Sequence, residues 1–136
     1  MIKKLHHVSV AVRNLDETIR LYNKLLGGKP LNVYETPGKT RIAQYQVGEI
    51  QLEFMEPGLG SSVTKFIDEK GEGLHHIAFE VDDLPEELNK QAGLGISLID
   101  KTPRRSPMGE IAFTGPEGSA GVTIELIQPA KTGGKK

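Results

Sequence analysis

The chain repeats itself, and this constrains its fold more than any other feature. LHHVSVAVRNLDETI from Leu5 aligns with LHHIAFEVDDLPEEL from Leu74 at a shift of 69, matching Leu, His, His, Val, Leu and Glu at six of 15 positions. At the far end of each half, IQLEFMEP from Ile50 aligns with VTIELIQP from Val122 at a shift of 72, which sets Glu53 opposite Glu125 and Pro57 opposite Pro129. The 136 residues therefore read as two copies of one module, about 3–57 and 73–129, with a connector over 58–72. A chain of this length is expected to form one domain, 1–136, able to bury a core without disulfides.

Each copy is predicted to run β-α-β-β-β, which makes the fold class α+β. Val8, Val10 and Val12 alternate with small residues in the first copy, and Ile77, Phe79 and Val81 do so in the second; this is the period-2 pattern of a strand with one apolar face. A helix follows each strand, announced by Asn14 with Glu17 and by Asp83 with Glu86, an acceptor at the N-cap with Glu three residues on. Its buried stripe is expected to be Ile19, Tyr22, Leu25 and Leu26 in the first copy and Leu84, Leu88 and Ala92 in the second, with stops at Gly27-Gly28 and near Gly93. Three strands are predicted after each helix: 31–35, 41–47 and 49–56, then 96–99, 110–114 and 122–128. The connector carries a short helix with Val63, Phe66 and Ile67 apolar, and the tail from Ala130 to Lys136 reads as frayed.

Composition narrows the chemistry. There is no cysteine, which excludes a disulfide scaffold, a thiolate zinc site, an iron–sulfur cluster and a Cys nucleophile. Lys and Arg number 17 against 18 Asp and Glu, so the electrostatic footprint of a dedicated nucleic-acid binder is missing. No apolar run approaches the ~18 residues of a membrane span, and the opening residues lead into an alternating strand. The expectation is a cytoplasmic protein with neither nucleic acid nor membrane as partner.

The strand pattern also sorts the histidines and glutamates by face. If Val8, Val10 and Val12 lie under the helix, His7 shares the opposite face with Ser9 and Ala11, and His76 lies with Ala78 and Glu80 by the same count. Glu53 falls with Gln51 and Met55, and Glu125 with Thr123 and Ile127, again away from the helix-covered side. Alone, a histidine at a strand start reads as a surface or capping residue. Here four positions agree in module, face and residue type. Two modules related by a pseudo-twofold would unite two imidazoles and two carboxylates, a borderline donor set for Co, Ni, Mn, Fe or Zn with positions open to water or substrate. His6 and His75 point the other way and read as structural.

These residues resemble the vicinal oxygen chelate superfamily, whose members build a curved mixed-sheet cup around a metal from paired βαβββ modules. The likeness covers nearly the whole chain. VTKFIDEKGEGLHHIAFEVDDL up to Leu84, FMEP at Phe54 and GVTIELIQP ending at Pro129 resemble the methylmalonyl-CoA epimerase family in particular. The resemblance implies four metal ligands, His7, Glu53, His76 and Glu125. It implies a divalent transition metal (Co, Ni, Mn or Zn), an acyl-CoA substrate and a homodimer, and a reaction that interconverts (R)- and (S)-methylmalonyl-CoA through removal of the α-proton. Relatives place a non-ligand Glu as base where this chain has Ile42, so the catalytic carboxylates are expected to be Glu125 first and Glu53 second, as glyoxalase I is thought to use a loosened ligand. Two further departures concern CoA: Gly115-Pro116-Glu117 stands in place of His-Pro-Lys, and Glu110 in place of a common Lys, with Arg104 and Arg105 available to bind phosphate or carboxylate. The alternative readings are glyoxalase I, which uses the same ligand types, and a non-catalytic small-molecule binder on the same fold.

Overall fold

A computed structural model gives the structure of residues 1–130; from Lys131 on, the tail expected to fray lies outside the described residues. The elements in chain order are β1 (Ile2–Ala11), α1 (Leu15–Leu26), β2 (Asn32–Glu35), β3 (Arg41–Val47), β4 (Ile50–Glu56), α2 (Ser62–Lys70), β5 (Gly73–Val81), α3 (Leu84–Gly93), β6 (Arg104–Ser106), β7 (Gly109–Thr114) and β8 (Ile124–Pro129). Each copy is β-α-β-β-β, as the repeat predicts. Among the described residues no helix is long and apolar enough to cross a membrane.

Two compact units emerge, one of His7–His75 and one of Met1–His6 with the residues from His76 on. The chain passes from one unit to the other within each His-His pair, inside β1 and inside β5. In the His7–His75 unit the strands run in the order β2-β3-β4-β1, with β1 parallel to β4 and the other pairs antiparallel. In the other unit the order is β6-β7-β8-β5, with β5 parallel to β8 and the rest antiparallel. The two copies thus share one topology.

Helix starts follow the predicted caps. Asn14 Oδ1 accepts from the Glu17 N–H and Asp83 Oδ1 from the Glu86 N–H, each at 3.0 Å. A second acceptor at each start was not visible in the local pattern: Glu56 Oε1 takes the Leu15 N–H and Gln128 Oε1 takes the Leu84 N–H, both at 2.8 Å. Each helix is therefore clamped by the last strand of its own copy, with donors satisfied that a first turn otherwise leaves open.

The helix-side cores are Val12, Leu15, Ala43, Tyr45 and Phe54 in one unit and Val81, Leu84, Leu88, Ala112 and Leu126 in the other. Two of the predicted stripes need correction. Leu25 and Leu26 are exposed, as is Ala92, while Glu87 and Gln91 are buried on α3. The cause for Leu25 and Ala92 is helical geometry: at 3.6 residues per turn Leu25 falls about 80° round the helix from the buried Leu15 and Ala92 about 80° from the buried Leu84, whereas Tyr22 and Gln91 fall within about 20° of those residues. Gln91 is accommodated by accepting from the Thr114 hydroxyl at 2.8 Å, and in the first copy the Tyr45 hydroxyl meets the Asn23 side chain at 2.9 Å.

The strand expected over 96–99 is also corrected. Only Leu98 forms a bridge, to Thr114, and the short edge strand is β6. Ile99 and Asp100 both donate to the Phe113 carbonyl, and the Asp100 carboxylate takes the Phe113 N–H at 2.8 Å, which ends the ladder. The other strands predicted after the helices match the observed ones to within two residues at each end, 41–47 without change.

Candidate metal centre

The face of each unit turned away from its helix carries the residues selected from sequence. In the His7–His75 unit, β1 presents His7 and Ser9, β3 presents Gln44 and β4 presents Glu53, all buried. Ser9 and Gln44 are the strand neighbours of Glu53 in register. Both donate to it: Ser9 Oγ to Oε2 at 2.9 Å and Gln44 Nε2 to Oε1 at 3.1 Å, with Gln44 itself receiving a bond from Asn32 at 3.3 Å. His7 Nε2 stands 3.9 Å from Glu53 Oε2. One carboxylate is thus held by two neutral donors beside an imidazole.

Further along the same face, Ala11, Ile42 and Met55 pack against Val63 and Ile67 of α2, with Tyr34 and Phe66 around them. Ile42 is therefore part of an apolar floor. The connector helix belongs to this unit and roofs that end of the face; His75 contacts Phe66 with ring centroids 4.8 Å apart.

In the other unit, His76 on β5 and Glu125 on β8 form a pair at 2.9 Å between Nε2 and Oε1, again buried. The strand neighbours of Glu125 in register are Ala78 and Phe113. Neither has a polar side-chain atom. The Phe113 ring instead stands edge-on to His76, with centroids 5.2 Å apart. Equivalent carboxylates in the two copies thus differ: Glu53 is tethered from both adjacent strands, and Glu125 takes no side-chain hydrogen bond from either.

Residues 6–113 match the Glyoxalase/Bleomycin resistance protein/Dioxygenase superfamily. The chain belongs to this superfamily. A Bacillus subtilis protein of uncharacterised role, YqjC, is 36% identical over 132 residues, 94% of each chain. The mitochondrial methylmalonyl-CoA epimerase of Dictyostelium discoideum is 30% identical over 131 residues, covering 92% of this chain and 78% of that protein. A solved structure of a Streptomyces coelicolor methylmalonyl-CoA epimerase variant, in complex with 2-nitronate-propionyl-CoA, is 28% identical and matches with a TM-score of 0.86 over 96% of each chain. The α+β fold of paired βαβββ modules expected from sequence is the fold of this superfamily member.

Sequence reasoning placed His7 and Glu53 on one face and His76 and Glu125 on one face, and the structure brings each pair together within its unit. It missed Ser9 and Gln44 as supports of Glu53. The signal was present: both alternate with apolar neighbours on the face that carries Glu53, and polar side chains there are unusual unless paired. The arginines separate. Arg105 lies opposite Glu110 in register, whereas Arg104 lies opposite Ile111, on the face of Phe113 and Glu125. Of the departures in the loop after Phe113, Gly115 is buried while Pro116 and Glu117 are exposed, the Glu117 carbonyl taking the Ser97 N–H.

Proposed function

We propose that this superfamily member is a metal-dependent epimerase of (R)- and (S)-methylmalonyl-CoA, and that His7, Glu53, His76 and Glu125 together hold one divalent transition metal. The observation that carries the reading is the pairing of a buried imidazole with a buried carboxylate at matching positions of the two copies. The donor set fits such an ion. Two imidazoles and two carboxylates suit Co, Ni, Mn or Zn, and the two negative charges balance a divalent cation where an uncompensated buried carboxylate would be costly. When bound, the ion supplies Lewis-acid stabilisation of the charge that develops on the thioester oxygen as the α-proton leaves.

The protein's own groups then divide the labour. Glu53, fixed by Ser9 and Gln44, is the anchored carboxylate. Glu125 has apolar strand neighbours and is the first candidate to take the α-proton, with Glu53 the second. Phe113 and Ile42 line their faces with apolar surface, which limits competing water around a weakly acidic C–H.

Proton NMR of racemic methylmalonyl-CoA in deuterated water tests the reading directly. Metal-dependent loss of the α-proton signal is the expected result. Turnover of methylglyoxal with glutathione and no exchange of the acyl-CoA would assign the chain to the glyoxalase I reaction instead. Absence of both reactions, with no rise in melting temperature on adding cobalt or nickel, would favour the non-catalytic binder.

The tether of Glu53 gives a further expected result. Ser9→Ala and Gln44→Leu each remove one bond that orients a ligand, and outer partners of this kind are worth roughly 10–100-fold in metal affinity. Titration of cobalt into the purified variants, followed by calorimetry, reads that loss. Unchanged affinity in both variants would show that the bonds to Glu53 do not serve a ligand.

A further inference from the structure

We propose that Ala78 sets the size of the alkyl group accepted on the reacting carbon, by leaving a notch beside Glu125 into which that group fits. This rests on the epimerase reading above and adds to it the class of acyl thioester that the site admits. The carbon that loses its proton carries four groups. Two are polar, the carboxylate and the thioester carbonyl, and the third is the proton that Glu125 takes. The alkyl group is the one that gains from apolar surface.

Such surface adjoins Glu125 and not its counterpart in the first copy. In register Glu125 lies between Ala78 on β5 and Phe113 on β7, whereas Glu53 lies between Ser9 on β1 and Gln44 on β3. Adjacent strands are about 4.8 Å apart, so a carbon whose proton is within reach of Glu125 brings its alkyl group against one of those two neighbours. They differ in the room they leave. Phe113 fills its side with a ring that meets His76 at 5.2 Å between centroids and lies 5.3 Å from the guanidinium carbon of Arg104. The side chain of Ala78 ends at Cβ, and its backbone is fixed by the ladder that pairs Ile77–Glu80 with Ile124–Ile127. Ala78 is fully buried and Glu125 is 4% exposed, so a substrate that reaches the carboxylate reaches the notch as well. Loss of the proton leaves a planar enolate with the alkyl group in its plane, and one notch therefore serves both epimers.

The test is deuterium exchange at the reacting carbon of methylmalonyl-, ethylmalonyl- and propylmalonyl-CoA, followed by proton NMR for the wild type, Ala78→Val, Ala78→Gly and Phe113→Leu. The readout is the ratio of rates for substrates that differ by one methylene, in which loss of folded protein or of metal cancels. One methylene in a fitted apolar pocket changes such a ratio by about 10–200-fold. Ala78→Val is expected to lower the ethyl-to-methyl ratio by about tenfold or more, and Ala78→Gly to raise the propyl-to-ethyl ratio. Phe113→Leu is expected to act on all three substrates alike. The proposal is overturned if Ala78→Val leaves the ethyl-to-methyl ratio unchanged, or if Phe113→Leu shifts the ratios instead, which would place the alkyl group at the ring. Where Ala78→Val folds too poorly to assay, Ala78→Gly decides, and an unchanged propyl-to-ethyl ratio overturns the proposal. A wild type that exchanges none of the three substrates overturns the epimerase reading and this proposal with it, whereas exchange with unshifted ratios overturns this proposal alone.

Discussion

Glu125→Gln is expected to slow exchange of the α-proton of methylmalonyl-CoA by about 10²–10⁴-fold, the range contributed by a positioned general base. The substitution keeps the size of the side chain and one carbonyl oxygen able to act as a donor to a metal, and it removes the capacity to take a proton. The prediction concerns Glu125 in particular because its two strand neighbours are Ala78 and Phe113, whereas Glu53 is bound by Ser9 and Gln44. Deuterium incorporation followed by proton NMR, with metal content of the same sample determined by elemental analysis, separates lost chemistry from lost metal. A variant that retains metal and exchanges at the wild-type rate would remove Glu125 from the reaction. The parallel variant Glu53→Gln is expected to lose metal affinity first, since its carboxylate is the anchored one.

The largest expected effect on stability belongs to Phe54→Ala, about 3–5 kcal/mol, the usual cost of truncating a buried phenylalanine. Phe54 is 1% exposed on β4 and packs its ring against Tyr22 at 4.4 Å and Tyr45 at 6.0 Å between centroids. Those contacts join α1 to the sheet on one side of β4, and the next residue back, Glu53, points to the other side. Urea unfolding monitored by circular dichroism is the measurement: the midpoint should fall with little change in slope. A loss below about 1 kcal/mol would mean that the aromatic cluster can close over the gap, contrary to the tight packing of a protein interior.

The repeat carried most of what the sequence could tell. Two strings matched at shifts of 69 and 72 were enough to predict β-α-β-β-β twice and to place His7, Glu53, His76 and Glu125 on the faces away from the helices. The errors lie where a local rule was extended without the partner that decides it. Ala92 extends its stripe in steps of four residues, each drifting about 40° round the helix, and Leu25 in steps of three, each drifting about 60° the other way. The edge strand was assigned to the apolar residues 96–99, but the Asp100 side chain takes the Phe113 N–H there and the pairing moves to Arg104–Ser106. Ser9 and Gln44 were legible as polar residues on a buried face. Their bond to Glu53 depends on the register of three strands, which no single segment contains. Arg104 was recognised only as one of a pair, because what distinguishes it from Arg105 is the ring of Phe113 and the side of the hairpin on which each falls.

The last strand of each copy does two jobs from opposite surfaces. Glu53 and Glu125 face away from the helices, and three residues later Glu56 and Gln128 reach back to hold the first N–H of α1 and α3. An odd spacing along a strand necessarily separates the two faces. The strand therefore works as a gauge, transmitting the seating of a helix on one surface to the placement of a carboxylate on the other. A one-residue insertion between the two positions would turn both side chains to the same surface, leaving either the helix start or the buried histidine without its acid. Glu-x-x-Glu-Pro in one copy and Glu-x-x-Gln-Pro in the other preserve the same interval, so the part of the repeat that tolerates least change is a distance.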